Sequence, residues 1–469
     1  MVFSSPVFLF YFLPCFLLLY YVLPWKNTTL LVGSLLFYAW GEPRFVPLLM
    51  FSAFLNYGFG YLIARAAARR KLLLALGIAL NLGLLAYYKY MGFFIDVLNA
   101  LLPQQQRWPL PAIVLPLGIS FFTFQGISYL IDVYRRDIAV QTSFLRFAMY
   151  KAMFPQLIAG PIVRYSQIAA EIGQRSISNA RLWIGVQQFT VGLAQKVLIA
   201  NSVALPADRL FAVAPAQLDA PAAWIGIACY SIQILFDFAG YSNMAIGIGH
   251  MLGFTYPPNF ARPYASLSVT EFWRRWHISL SSWFRDYLYI PLGGNRASVA
   301  RTYFNLALVF VLCGLWHGAA WTFVVWGAWH GLLLVIERLG LGAVLARLPR
   351  PLAHAYTLLC VMIGWVFFRA DNLPHALAYL RSMAGGHGGA SPHPWQMDFG
   401  ASAGVALLAG FLIAAWRFAP TTLPAAGTAP VRTHPLLGGA KAAACACALL
   451  LCIASLAAGT YNPFIYFRF

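Results

Sequence analysis

"TYFNLALVFVLCGLWHGAAWTFVVWGAWHGLLLVI", residues 302–336, contains no Asp, Glu, Lys or Arg. A helix needs about 20 mostly apolar residues to cross a bilayer, so this stretch belongs in lipid. It nevertheless holds His317 and His330. Ionisable side chains are expensive at that depth and tend to mark function.

Runs of the same kind recur along the chain: Met1–Trp25, Phe45–Ala64, Leu72–Tyr88, Trp108–Ile131, Ala220–Phe236, Phe238–Ala261, Pro351–Phe368, Phe399–Trp416 and Ala442–Phe467. Of the 469 residues 61% are hydrophobic and 10% charged, where a soluble domain would carry about a quarter charged. The expectation is an all-α polytopic membrane protein, one domain over 1–469, with about 10–12 membrane segments by the length rule. The first run has no basic n-region, since the first charge is Lys26, and no small-x-small cleavage site follows it. It reads as a retained first segment. The net charge of +19 has no soluble module beside it that would bind nucleic acid. It points to positive-inside topology and anionic membrane lipid headgroups. Arg65–Lys71, Arg135–Arg136 and Arg347–Arg350 are candidates for the cytoplasmic side. The seven cysteines form no CxxC and sit mostly in apolar runs. They read as small hydrophobes, with no disulfide framework and no metal site.

Several segments are not plain spanning helices. "AGGHGGASPHPWQMD" (384–398), with His387 and His393, and "APTTLPAAGTAPVRTHP" (419–435) are connections. "KAMFPQLIAGPIVRY" (151–165), broken by Pro155 and Pro161, suits a re-entrant element buried in protein. "GFTYPPNFARPY" (253–264) is a structured turn. In "EFWRRWHISLSSWFRDYLYIPLGGNR" (271–296), apolar residues at 273, 276, 280, 283, 287 and 290 form one helical stripe. Arg274, Arg275, Ser282, Arg285 and Asp286 lie opposite. Such a helix lies along an interface or walls a polar cavity, with His277 at the border of the stripe and "PLGGNR" as its stop.

Among the polar residues inside apolar runs, Asp132 reads as a boundary partner of Arg135 and Arg136. Asp237 reads as part of a polar lining with Gln233 and Asn243, and His250 as a packing residue. His317 and His330 are 13 residues apart, about 20 Å of rise and 220° of rotation on one helix. They cannot share a site unless the chain breaks between them. His330 is seven residues from Glu337 and looks closer to an interface. His317 is deeper, flanked by Gly314 and Gly318, which admit a backbone or a substrate, and by Trp316 and Trp321.

Histidine's ordinary titration lies near neutral pH, which suits a general base acting on a hydroxyl that attacks an acyl carbonyl. No Ser-His-Asp constellation is evident, so direct transfer is simpler than a covalent enzyme. A packing histidine and a proton or ion relay remain open alternatives from the residues alone. Cys313, one turn from His317, lacks the nearby cation that a reactive thiolate needs.

"FWRRWHISLSSWFRDYLYIPLGGNR" and "LCGLWHGAAWTFVVWGAWHG" resemble the signature of the membrane-bound O-acyltransferase (MBOAT) family, in its bacterial alginate O-acetyltransferase branch. The likeness runs nearly end to end, through "MVFSSPVFLF", "FYAWGEPRF", "YYKYMGFF", "LPLGISFFTFQGISYLIDVYRR", "FPQLIAGPIVRY", "FDFAGYSNMAIGIG", "GWVFFRA" and "FIYFRF". The signature region is 271–331, and nothing in 384–435 matches. The resemblance implies an MBOAT-like fold in the bacterial inner membrane and transfer of an acetyl group from a cytoplasmic donor, acetyl-CoA, to an acceptor handled outside. It places the family's catalytic histidine on His317 and its second recurrent histidine on His277. It also implies a periplasmic acetyltransferase partner that completes transfer to an exopolysaccharide. Alginate, cellulose and peptidoglycan are all compatible.

On this reading Arg274, Arg275 and Arg285 line a funnel for a phosphate-bearing carrier, His317 is the base and His277 orients. Asp286 and Asn295 support that helix, with Trp316 and Asp237 nearby. A transporter or flippase is the rival from another class, expected to show repeated halves and matching discontinuous helices. A scaffold that only recruits a soluble transferase is the second rival.

Overall fold

The computed structural model describes residues 2–296, 298–386, 399–415, 435–459 and 461–465. Most of the two connections 384–398 and 419–435, with His387 and His393, lies outside them, as does the end of the "FIYFRF" element. The described residues form helices joined by turns, without strands. Among the described residues eight helices are long and apolar enough to cross a membrane: Pro43–Arg65, Arg70–Leu101, Asn179–Ala212, Ala220–Met251, Val299–His317, Trp321–Leu345, Arg350–Arg369 and Gly438–Ala457. Two shorter apolar helices, Phe8–Val22 and Ala401–Ala415, accompany them. The chain is thus an all-α, multi-pass membrane protein.

Four apolar runs divide differently from the sequence expectation. Ala220–Phe236 and Phe238–Ala261 share one 32-residue helix, Ala220–Met251, which carries Asp237 in its interior because that charge is neutralised within the protein. Trp108–Ile131 is helical only from Ile119, since Pro109, Pro111 and Pro116 hold 107–116 out of helix. Residues 302–336 are split by Gly318–Ala320 into Val299–His317 and Trp321–Ile336.

The chain folds as two compact units. One comprises Met1–Val186 and Ala245–Pro257. Its helices Val46–Arg65 and Arg70–Leu85 are joined by a buried amide pair: Asn56 Nδ2 donates to Asn81 Oδ1 (3.1 Å) and Asn81 Nδ2 to Asn56 Oδ1 (2.9 Å). Each amide also donates to its own helix, at Ser52 O and Gly77 O. Polar side chains in apolar helices are satisfied in this way rather than left facing lipid. The same unit contains the irregular segment after Lys151. Helix Phe144–Ala152 ends, Phe154–Leu157 makes a single turn, and the chain then runs without regular structure to Tyr165. Residues 151–163 are buried throughout, as a backbone that is not self-paired must be at membrane depth. Side chains take up the freed groups: Gln156 Nε2 donates to Tyr150 O (2.6 Å), Tyr150 Oη to Val163 O (3.1 Å), and Phe154 N donates to Ser34 Oγ (3.1 Å).

The second unit comprises Gln187–Met244 and Pro258–Phe469. Val299–His317 and Trp321–Ile336 form an antiparallel hairpin in it, packed closely because two crossing points carry glycine. A Cβ on Gly314 would stand 2.1 Å from Phe323 O, and one on Gly327 would stand 2.3 Å from Phe310 O. Small residues at such crossings let backbones approach. Gly314 therefore admits a backbone, and Gly318 admits the ring of Phe323.

The stripe over 271–290 is not one helix. Val269–Arg275 and Ile278–Phe284 are separated by Trp276 and His277, and Arg285–Tyr289 widens into a π turn. A neighbouring extended segment of chain supplies the missing hydrogen bonds: Ala261 N donates to Arg275 O (2.9 Å) and Ile278 N to Asn259 O (2.9 Å). Apolar spacing alone could not reveal this competitor. At the other end, Glu337 closes the N-terminus of Val269–Arg275, accepting from Val269 N (2.7 Å), Thr270 N (2.8 Å) and Thr270 Oγ1 (2.5 Å). A carboxylate there satisfies orphan N–H groups and the helix dipole together.

Candidate active site

The break at residues 276–277 turns His277 inward. Its φ is +43°, a left-handed conformation that costs a non-glycine residue on the order of 1–3 kcal/mol and recurs at functional sites. Its side chain is fully buried, edge-on to Phe238 at 4.6 Å between ring centroids. Asn259 Oδ1 lies 3.1 Å from His277 Nδ1 and accepts from Ser279 N (3.2 Å) and Ser279 Oγ (2.8 Å).

His317 is the last residue of its helix. Its ring is 6.4 Å from that of His277, centroid to centroid. Trp316 contacts both, at 5.0 Å from His317 and 6.1 Å from His277. Trp326 and Phe368 complete the surround of His317, each at 5.1 Å. Two histidines 40 residues apart in sequence (317 − 277) thus meet in one buried aromatic cluster.

A narrow apolar cavity, about 270 Å³ including its mouth, opens onto His317, walled by Ile234, Phe238, Trp276, Trp326, Trp365, Phe368 and Ile465. A second cavity, about 830 Å³ including its mouth, shares Phe368 and Ile465 with the first. Its lining is mixed, with the polar side chains of Asp208, Tyr230, Gln233, Thr322, Arg369 and Asp371 set among apolar ones. Asp208 pairs with Arg369 at 2.7 Å and accepts from Tyr461 Oη at 2.8 Å. A narrow apolar cavity with an imidazole at its wall adjoins a larger one that carries charged and amide side chains, which suits a site where an acyl group and a hydroxyl meet.

The other expected residues lie as follows. Asp237 is buried and pairs with Lys196 at 2.5 Å. It also accepts from Ile465 N at 2.9 Å, and Lys196 donates to Asn201 Oδ1 (2.8 Å) and to Pro463 O. This pair fastens the 461–465 segment, which walls both cavities, so Asp237 touches the site through Ile465. Neither cavity includes Arg274, Arg275 or Arg285 in its lining. Arg274 is exposed, Arg275 pairs with Glu271 at 2.6 Å and Arg285 with Asp286 at 2.7 Å. Asn295 is exposed and accepts from Tyr289 Oη (2.6 Å) and Arg338 (2.8 Å). His330 is fully buried in the protein, and its Nδ1 accepts from Trp273 Nε1 at 3.3 Å. Because the chain turns at Gly318–Ala320, His330 and His317 lie against the same indole, that of Trp326 (5.2 and 5.1 Å). Asn259, Phe238, Trp326, Phe368, Arg369 and Ile465 were not singled out by the sequence. A polar residue inside the proline-rich turn 253–264 was the one signal that pointed to Asn259.

The profile of the membrane-bound O-acyltransferase family matches residues 135–367. "Probable alginate O-acetylase AlgI" of Pseudomonas putida is 42% identical, with the whole of both chains covered. The protein of that name from Pseudomonas aeruginosa is 45% identical over 82% of this chain and 75% of its own. "Peptidoglycan O-acetyltransferase" of Helicobacter pylori is 37% identical over 83% of this chain and 80% of its own.

Proposed function

Because the chain belongs to the membrane-bound O-acyltransferase family, we propose that it takes an acetyl group from a cytoplasmic thioester, acetyl-CoA, and passes it to a hydroxyl for O-acetylation of a polysaccharide outside the inner membrane. The observation that carries this reading is the meeting of His277 and His317 beside a narrow apolar cavity. Full-length likeness to a protein named for alginate O-acetylation favours alginate as the polymer. The peptidoglycan enzyme, at lower identity, makes that polymer the second reading.

His317 takes the proton of the acceptor hydroxyl as its oxygen attacks the acetyl carbonyl. The C–O bond forms, the C–S bond breaks, and the thiolate leaves as thiol with the proton that His317 returns. His277 orients the hydroxyl. The apolar walls keep water from competing for the acetyl group. The acceptor reaches this cavity through the larger one, and a periplasmic acetyltransferase completes delivery to the polymer. Arg274 and Arg285 stand on the outer side of their segment, where the role left to them is first encounter with a charged carrier.

Purified protein supplied with acetyl-labelled CoA, with and without the partner acetyltransferase, tests this. The expected result is release of free CoA and an acetylated acceptor, both lost in His317→Ala. Wild-type transfer by a folded His317→Ala protein would overturn it, and acetyl movement without C–S cleavage would favour a transporter.

A further inference from the structure

Neither an imidazole tautomer nor an amide orientation is visible directly; both follow from their hydrogen-bond partners. A backbone N–H, in contrast, can only donate. Ser279 N donates to the atom of Asn259 that faces it, at 3.2 Å, and Ser279 Oγ lies 2.8 Å from the same atom. That atom is therefore the carbonyl oxygen, Oδ1. It also lies 3.1 Å from His277 Nδ1. An amide oxygen brings only lone pairs, so Nδ1 must bring the hydrogen. Ser279 Oγ is farther from Nδ1, at 3.5 Å, and its hydrogen goes to the nearer Oδ1.

We propose that Asn259 is a positioning residue of the site: it holds His277 as the Nδ1–H tautomer, so that Nε2 presents a bare lone pair inside the aromatic cluster. The use made of that lone pair rests on the function proposed above; the tautomer does not. Asn259 is itself buried and tied down, since its own carbonyl accepts Ile278 N at 2.9 Å. Nε2 is buried and has no hydrogen-bonding partner among the described residues. Burial takes His277 down from its ordinary value to about 3, which keeps the ring neutral and its single N–H on one side. The titratable ring packed against it is that of His317; Asp237, next in sequence to Phe238, has its charge taken up by Lys196. A neutral ring protonated at Nδ1 cannot donate from Nε2. His277 is thereby a hydrogen-bond acceptor in the cluster, able to hold a second donor group of the substrate while the reacting hydroxyl gives its hydrogen to His317, and not a donor to the developing oxyanion.

The test uses full-length protein in detergent, labelled with ¹⁵N-histidine and assigned by comparison with His277→Gln. The expected spectrum near neutral pH shows His277 Nε2 as an unprotonated nitrogen and Nδ1 as a protonated one. A proton on Nε2, or a mixture averaged between the nitrogens, overturns the proposal. Asn259→Asp keeps the acceptor and adds a charge. It should retain the tautomer and move the acid limb of the acetyl-transfer pH profile upward by about one to three units, the usual effect of a neighbouring carboxylate on a cation. An unmoved limb also overturns it. Asn259→Leu should lose the tautomer and lower kcat more than it raises KM; should that variant not fold, Asn259→Asp still decides. A wild-type protein with the expected tautomer and no acetyl transfer would refute the function and leave the tautomer standing. The opposite tautomer in an active enzyme would refute the positioning role alone.

Discussion

Replacing Lys196 by Met should be among the costliest single changes in this protein. The ammonium and the Asp237 carboxylate are 2.5 Å apart, and both side chains are almost wholly buried, at 3% and 2% exposure. Without the lysine, Asp237 keeps among the described residues only the Ile465 N–H at 2.9 Å, one neutral donor against a buried charge. Breaking one side of such a pair costs about 3–5 kcal/mol. Asp237→Leu should cost somewhat less, because Lys196 retains Asn201 Oδ1 at 2.8 Å and Pro463 O. In the double variant no charge remains, and the loss reduces to the three displaced partners, at about 1 kcal/mol each. The double-mutant cycle, measured by equilibrium denaturation in detergent micelles, should therefore show a coupling of about 2 kcal/mol or more, within the range for residues in contact. Acetyl transfer should fall in both single variants, since Ile465 walls the His317 cavity. Additive single effects, with coupling under about 0.5 kcal/mol, would refute the reasoning.

His317→Ala and His330→Ala should separate rate from stability. The first should abolish transfer by the molecules that remain folded, at a stability cost no larger than that of the second. The second, which removes a fully buried ring and the acceptor of Trp273 Nε1, should cost about 2–4 kcal/mol, measured by the same denaturation, with turnover per folded molecule retained. Gly327→Ala would push a methyl to 2.3 Å from Phe310 O and should destabilise by about 1–3 kcal/mol, seen as a lower midpoint. Asn56→Ala should cost about 1–3 kcal/mol by orphaning Asn81, while Asn56→Leu with Asn81→Leu should cost less than the sum of the single changes. Arg285→Ala removes an ion pair that is 63% exposed on the arginine side and should shift stability by under about 1 kcal/mol; a tenfold rise in KM for acetyl-CoA would instead establish a donor-binding role.

Much of this was legible in the chain because lipid imposes simple rules. The charge-free runs mark the long helices, and prolines 155 and 161 mark the irregular segment that the protein buries. His317 stood out through its depth and its flanking glycines. What periodicity could not express was competition for backbone hydrogen bonds. The stripe at 273, 276, 280 and 283 is that of an unbroken helix, yet the 259–261 segment captures Arg275 O and Ile278 N and forces the turn at His277. Asn259 and Ile465 reach the site from 18 residues before His277 and 148 after His317, by subtraction, and no local pattern links them. Arg274, Arg275 and Arg285 drew notice as charge on one face; the structure gives two of them carboxylate neighbours one or four residues away.

Glu337 bears on how the site behaves under mechanical load. It ends the helix that begins at Trp321 and at the same time grips the N-terminus of Val269–Arg275 through three hydrogen bonds. The segments that carry the two imidazoles are therefore pinned to each other far from the imidazoles themselves. Bilayers of different thickness are accommodated by tilting of spanning helices. A tilt of this hairpin that leaves the three bonds intact carries the clamped helix with it, so the clamp favours a constant spacing of the histidines.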